Sequence, residues 1–211
     1  MTEVATDGLL VLHAIRVKGF VDEDGITSVT GLNRSDVDGS LRCHADAGWV
    51  AHRDGRFAGW SLTPAGRETH RELLSADLES SGQRAIVLDA YEMFLPINGD
   101  FKQVCTAWQL RESPSGETVP NDHSDGAYDG EVIRNLEEIH RRILDPLSEL
   151  ASVSRFARYQ PRLEDALAKV RAGDPDGFAR PLTNSYHDVW MELHEDLLVS
   201  LDLTRSGADG S

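Results

Sequence analysis

The sequence predicts a mainly α-helical protein with one small β-hairpin in its N-terminal third. Two observations support this. Apolar side chains recur at helical spacing through most of the 211 residues. Between the early helical segments, the turn dipeptide Asp54-Gly55 is typical of a tight hairpin. The pattern changes after residue 80, so we expect an N-terminal domain over 1–80 and an all-helical bundle over 81–211.

The first helices are predicted from apolar spacing. Residues 9–20 form an amphipathic segment with Leu9, Leu12 and Ile15 on the inward face. Gly31 then supplies the turn between two short helices. A compact group of helices is therefore expected before the hairpin.

Capping residues delimit the next helix. Asn33 is a good N-cap, and Asp36 lies three residues further on, as in a capping box. Gly48 is placed to end the helix before the strand begins. Its inward face consists of Val37, Leu41 and His44.

The hairpin is predicted as a two-residue turn. In that geometry Asp54-Gly55 places Arg53 and Arg56 opposite each other at the tip, where two guanidinium groups can straddle a phosphate backbone. Thr63 is then an N-cap and Pro64 the first residue of another helix.

This order of elements over residues 8–79, with a charged hairpin ending in Leu-Thr-Pro-Ala-Gly-Arg, resembles the MarR-type winged-helix transcription regulators. The resemblance covers little more than a third of the chain. It implies an N-terminal winged helix-turn-helix with a small β-hairpin wing that binds double-stranded DNA. The DNA-contacting residues it implies are Arg34, Ser35, Asp38, Arg42, Arg53 and Arg56.

The charge balance opposes strong DNA binding. The net charge is −15, and residues 1–80 contain eight basic and thirteen acidic side chains, a formal charge of −5. Non-specific affinity for DNA comes from neutralised phosphates, and Asp36 and Asp38 lie in the first turns of the helix expected to enter the major groove. A winged helix that contacts protein instead of DNA therefore stays open.

The second half is predicted to be helical throughout, without strands. Pro96 and Gly99 should divide its first part into two helices, with Asp100 capping the second. A polar stretch, 113–130, is expected to be a long connection, and Pro146 a kink. The expected helices, about five, cover 82–95, 100–112, 131–153, 161–172 and 184–203.

Motifs for metal or covalent chemistry are weak. Glu137 and His140 have the Glu-x-x-His spacing of di-iron bundles, but the chain contains no second copy. Three histidines, His140, His187 and His194, could imitate the metal sites of GntR-type ligand-binding domains. We predict no metal, no cofactor and no enzyme activity. The cysteines, Cys43 and Cys105, are expected to be reduced thiols.

A small-molecule site in the helical bundle is the remaining possibility. Bundles bind ligands between helices with apolar walls and a few polar groups. The residues predicted to line such a site are Trp108, Arg111, Tyr186, His187, Trp190 and His194. A fixed positive charge at Arg111 favours a carboxylate or phosphate on the ligand.

Together these features predict a ligand-responsive transcription regulator that acts as a homodimer. The alternative is an accessory protein whose winged helix and acidic bundle dock onto an enzyme or another regulator; a helical metal-dependent enzyme is a third reading. The predicted dimer contact is the last apolar stripe, Trp190, Met191, Leu193, Leu197, Leu198 and Leu201. No apolar run of membrane-spanning length and no signal peptide is seen, so we expect a cytoplasmic protein without a membrane partner.

Overall fold

The computed structural model describes residues 3–55, 58–113, 115–174, 176–181 and 183–204, with the backbone alone for 3–6. The protein is mainly helical over these ranges, with eight α-helices and two antiparallel hairpins. Two compact units are formed. Unit 1 contains residues 3–84 and 195–204, and unit 2 contains residues 85–194.

Unit 1 begins with three helices whose ends are fixed by local hydrogen bonds. Helix α1 spans Glu3–Lys18, α2 spans Glu23–Thr30 and α3 spans Arg34–Asp46. The Asp22 carboxylate accepts a hydrogen bond from the amide of the third residue of α2, at 2.8 Å. Asn33 does the same for α3, at 3.1 Å, as its sequence position predicted.

The hairpin that follows consists of β1, Val50–Arg53, and β2, Gly59–Leu62. The predicted two-residue turn is wrong, since the register pairs Arg53 with Gly59 and not with Arg56, which lies outside the described residues. This register places the buried side chains of β1 and β2, Val50 and Leu62, opposite each other.

A third extended segment joins this hairpin. The amide of Val21 donates to the carbonyl of Trp60 at 3.1 Å, and the amide of Trp60 donates back at 2.8 Å. Gly59 permits this approach, because a Cβ there would lie 2.9 Å from the Phe20 ring and 3.0 Å from the Val21 carbonyl oxygen. The segment between α1 and α2 thus extends the β1–β2 sheet.

Helix α4, Pro64–Ser81, starts directly after β2. Thr63 caps it by accepting from the amide of Gly66 at 3.0 Å. A Cβ on Gly66 would lie 1.9 Å from the Trp49 carbonyl oxygen, so only glycine fits where α4 crosses the entry to β1. The core beneath these elements contains Val11, Leu12, Ala14, Ile15, Val21, Ile26, Val37, Leu41, Val50 and Leu62.

Unit 2 begins with one long helix instead of the two predicted. Helix α5 runs unbroken through Arg84–Gln109, with Pro96 inside it. Proline removes one helical hydrogen bond, but the buried residues Ile97, Asn98 and Phe101 hold the next turn in the core. Asp100 is therefore not a cap.

A second hairpin begins where a helix was predicted to reach residue 112 and continues into the polar stretch, so the expectation of no strands in this half is wrong. Strand β3, Leu110–Glu112, pairs with β4, Thr118–Pro120, around a turn at Gly116 with φ of 82°. Helix α6 then spans Gly126–Leu150 and begins five residues before its predicted start. The Asp125 carboxylate caps it by accepting from two backbone amides.

Two helices complete the described chain. Helix α7, Tyr159–Arg171, follows a short 3-10 turn at Ser154–Phe156, and α8 spans Tyr186–Leu201. Unit 2 therefore draws on four α-helices across the described ranges, not five, because the first two predicted helices are one. From Glu195 onward, the residues of α8 belong to unit 1.

Candidate functional site

The candidate DNA-contacting residues lie on the polar face of α3 and on the hairpin. Helix α3 buries Val37, Leu41 and His44, which leaves Ser35 and Arg42 exposed, as the helical spacing requires. His44 fixes the last turn of α3, since its Nε2 donates to the Gly8 carbonyl at 3.0 Å. Burial lowers the pKa of this imidazole.

Arg34 is enclosed by carboxylates. Its Nε donates to Asp38 at 3.0 Å, its Nη1 lies 2.5 Å from an Asp24 oxygen, and its Nη2 lies 3.8 Å from Glu23. The hydrogen bond to Asp38 raises the pKa of the guanidinium, and nearby acidic charges act in the same direction. Three acidic neighbours offset its charge, so Arg34 is a poor phosphate contact.

Arg42 is more available than Arg34. Its Nε donates to the main-chain carbonyl of Asp38 at 3.1 Å, a neutral partner one turn earlier. This bond orients the side chain along α3 without neutralising it. Ser35 is exposed near the start of the same helix, while the Asp38 carboxylate is already used by Arg34.

The hairpin contributes one described cation. The Arg53 guanidinium carbon lies 4.6 Å from the centre of the Phe20 ring, a cation–π geometry in which both partners are exposed. A ring face is an uncharged partner, so this contact leaves the positive charge of Arg53 unpaired by a carboxylate. Arg56 lies outside the described residues.

The start of α2 is attached to the hairpin by a hydrogen bond that the sequence did not predict. The Trp60 indole donates to the Glu23 carboxylate at 3.0 Å, and this bond lowers the pKa of Glu23. The His52 ring packs beside the Trp60 ring, with 4.7 Å between centres. Helix α2 and the hairpin are thus held together on the side that carries Arg34.

Several predicted ligand-binding residues are core residues of unit 2. Tyr186, Trp190 and His194 are no more than 1% exposed. The Trp190 indole donates to the Asn98 amide oxygen at 2.9 Å and stacks on Phe101 with 4.2 Å between ring centres. These side chains pack in the core of unit 2 instead of lining a solvent-accessible pocket.

Burial also governs the polar atoms of this core. The Tyr186 hydroxyl lies 3.2 Å from His140 Nδ1, and desolvation raises the pKa of Tyr186 and lowers that of His140. His187 is partly exposed, and its ring lies 6.2 Å from that of Phe101. Desolvation lowers the pKa of His187 as well.

Trp108 and Arg111 lie at the end of α5 and on β3. The Trp108 ring stacks on Phe178 at 4.6 Å and packs against His123 at 4.4 Å. Arg111 forms an ion pair with Asp122 at 2.9 Å. Aromatic and ionic partners from the chain itself therefore occupy both groups.

Sequence reasoning missed an oriented imidazole beside Trp108. His123 Nδ1 lies 3.1 Å from one Asp129 oxygen, and the Asn121 amide donates to the other at 2.8 Å. His123 also has a φ of 57°, in the left-handed region that a side chain rarely adopts. The sequence predicted this segment, within 113–130, only as a long connection.

A second missed group is buried in unit 1. His13, His70 and Asp196 are at most 2% exposed and form a hydrogen-bonded chain. They are 57 and 183 residues apart, so no spacing rule could group them.

Glu137 and His140, the weak metal motif, each contact another side chain. Glu137 accepts from Arg171 at 2.7 Å, while His140 faces Tyr186. Within the ranges that the structure describes, no three or more His, Cys, Asp or Glu side chains are placed to hold a metal ion.

The predicted dimer stripe is also wrong as an intermolecular surface. Its leucines and Trp190 are at most 5% exposed within the single chain, and Met191 is partly buried. Their apolar area is already removed from water, so it offers no driving force for a second copy to pack there.

Comparisons with known proteins find no matching family model, no matching curated protein and no matching solved structure. Among the described helices, none combines the length and the apolar character needed to cross a membrane.

Proposed function

We propose that unit 1 is a winged helix that binds double-stranded DNA, and that the protein is a ligand-responsive transcription regulator. The observation that carries this proposal is the pairing of Val21 with Trp60. It adds a strand-like segment between α1 and α2 to the β1–β2 hairpin, in the order helix, strand, helix, helix, hairpin. That arrangement supports α3 as the recognition helix and the hairpin as the wing.

The contacts that favour DNA are fewer than the sequence suggested. Arg42 and Arg53 make uncharged contacts within the chain, to a carbonyl group and to a ring, so their charges remain for phosphate. Arg34 links the start of α3 to α2 through its ion pairs with the Asp38 and Asp24 carboxylates. With so few cations in each chain, a homodimer would supply the affinity by doubling the set.

The decisive experiment is a salt titration of DNA binding by fluorescence anisotropy. Replacing Arg42 and Arg53 by alanine together should weaken binding to all duplexes and lower the salt slope by about one to two units. Arg34→Ala should change the slope less, because its charge is already offset. Arg141→Ala is the matched control, since it removes an equally charged, 70% exposed guanidinium from α6 in unit 2.

Two outcomes would contradict the proposal. The unaltered protein could fail to bind any duplex at low salt, or the slope could be the same for the double variant and for the control. Light scattering on the same samples tests the homodimer, for which a 23.3 kDa species at micromolar concentration is the negative result.

A second candidate function is favoured by the carboxylates around Arg34. An accessory protein that docks onto a basic protein surface would benefit from Asp24 and Asp38 beside Arg34, and from Asp36, which is exposed on α3, instead of being weakened by them. Asp24→Asn and Asp36→Asn distinguish the two functions. Both substitutions should strengthen DNA binding by the regulator and weaken protein docking by the accessory protein.

The proposed effector site lies at the partly exposed candidate residues and not at the buried aromatic ones. Trp108, Arg111 and His187 remain partly exposed, unlike Tyr186 and Trp190. An effector with a carboxylate or phosphate group would have to displace Asp122 from Arg111. The test is binding of an anionic compound library to the protein and to Arg111→Ala, with the duplex affinity as the readout of response.

A further inference from the structure

Three buried polar side chains form a continuous hydrogen-bonded chain inside unit 1. His13 Nε2 lies 2.9 Å from Asp196 Oδ1, and His13 Nδ1 lies 3.1 Å from His70 Nε2. Ser200 Oγ lies 3.3 Å from the same carboxylate oxygen. The two imidazoles come from α1 and α4, and the carboxylate comes from the last turns of α8.

The geometry limits where the protons lie. A carboxylate accepts, so His13 Nε2 carries a hydrogen and donates it to Asp196. Between the two rings only one of the facing nitrogens donates. Either His70 donates to a neutral His13, or His13 is an imidazolium that donates from both nitrogens while His70 accepts.

Burial penalises both charges, since Asp196 is 0% exposed and His13 is 2% exposed. The direct contact of 2.9 Å favours the ion pair, because an ionised carboxylate removed from water is stabilised more by an adjoining positive charge than by a neutral ring. We propose that His13 is an imidazolium paired with Asp196, that neutral His70 accepts its second proton, and that this pair latches residues 195–204 onto α1 and α4.

Weaker contacts surround the latch. Arg16 pairs with Glu195 at 2.6 Å, and Arg71 lies 3.5 Å from Asp202. Arg84 Nη2 donates to the Leu201 carbonyl at 3.1 Å. Both ion pairs are partly exposed, with side chains 20% exposed or more, and are screened by water and salt. The buried pair is therefore expected to dominate the attachment.

Selective ¹⁵N labelling of histidine tests the proton assignment in the full chain. At neutral pH, two-bond ¹H–¹⁵N correlations should show both nitrogens of His13 protonated and only Nδ1 of His70 protonated. A His13 spectrum with a single protonated nitrogen would overturn the proposal.

Hydrogen exchange tests the latch itself. Asp196→Asn removes the charge and should speed amide exchange across residues 195–204 by about tenfold or more. Glu195→Gln is the matched control, because it makes the same acid-to-amide change one residue earlier in a screened pair, and it should change exchange by less than about twofold. Equal effects from the two variants would contradict the latch. If Asp196→Asn does not fold, the histidine spectrum of the unaltered chain still decides the proposal.

Discussion

Unit 1 and unit 2 differ in what determines where their helices and strands begin and end. In unit 1, Asp22, Asn33 and Thr63 each cap the helix that follows by accepting a hydrogen bond from its first turn. In unit 2, α5 continues through Pro96, where the buried residues Ile97, Asn98 and Phe101 hold the next turn in the core. Local hydrogen bonds determine these helix starts in unit 1, whereas burial overrides the helix-breaking signal of Pro96 in unit 2.

The same contrast appears in the polar side chains. The predicted DNA-contacting residues of unit 1 that the structure describes lie at the surface. For those on α3, the buried apolar stripe of the helix determines which face is exposed to solvent. In unit 2, Tyr186, Trp190 and His194 lie in the core with hydrogen-bonding or aromatic neighbours. Aromatic and histidine residues at helical spacing are thus a weak signal for a ligand site.

The largest loss of stability is expected where two segments of unit 1 approach so closely that no side chain fits between them. Gly66→Ala would place a Cβ 1.9 Å from the Trp49 carbonyl oxygen and should lower the free energy of unfolding by about 3 kcal/mol. Urea unfolding measures this. Gly39→Ala is the control, because it lies within α3 with no atom near the new Cβ and should stabilise by about 0.5–1 kcal/mol.

If Gly66→Ala were as stable as the parent protein, the close crossing of α4 over the entry to β1 would be wrong. Close backbone contacts would then not determine how α4 and β1 are placed in unit 1.

A smaller effect is expected from the polar core of unit 2. Asn98→Ala leaves the buried Trp190 indole N–H without its acceptor and should cost about 1–3 kcal/mol. A double-mutant cycle with Trp190→Phe isolates the hydrogen bond, and the coupling should be about 1 kcal/mol. Strictly additive losses would show that Asn98 acts through packing alone, and would remove one reason why α5 continues past Pro96.

The smallest effect is a pH dependence in unit 1. Burial lowers the pKa of His44 in the folded protein below the 6.5 of an unperturbed imidazole. Below pH 6.5 the unfolded chain therefore binds a proton that the folded chain excludes, so His44 contributes a loss of stability as the pH falls. His44→Gln keeps a donor for Gly8 and should flatten the dependence between pH 7.5 and 5.5 in urea unfolding.

The matched control for that measurement is His52→Gln, which replaces an exposed imidazole on β1. Equal flattening by the two substitutions would assign the pH dependence to other groups. Desolvation also lowers the pKa values of His140 and His187 in unit 2, so part of the dependence should persist in both variants.

Much of unit 1 could be predicted because its signals are short-range. A capping residue, a helical C-terminus and the starting proline of α4 act within four residues of the position they determine. The hairpin loop was predicted too short, because Asp54-Gly55 favours a tight turn and the register depends on which side chains the sheet buries. The added segment at Val21 had no local signal, since its partner is 39 positions away.

By itself the sequence determined the mainly helical character, the helix starts of unit 1, the hairpin between α3 and α4, and which residues of α3 face outward. Tertiary structure decided the unbroken α5, the offset charge of Arg34, the burial of the aromatic residues and the assembly of His13, His70 and Asp196. The physical reason is one of range. Helical periodicity and capping act over a few residues, while burial and the pairing of polar groups depend on elements brought together from distant parts of the chain.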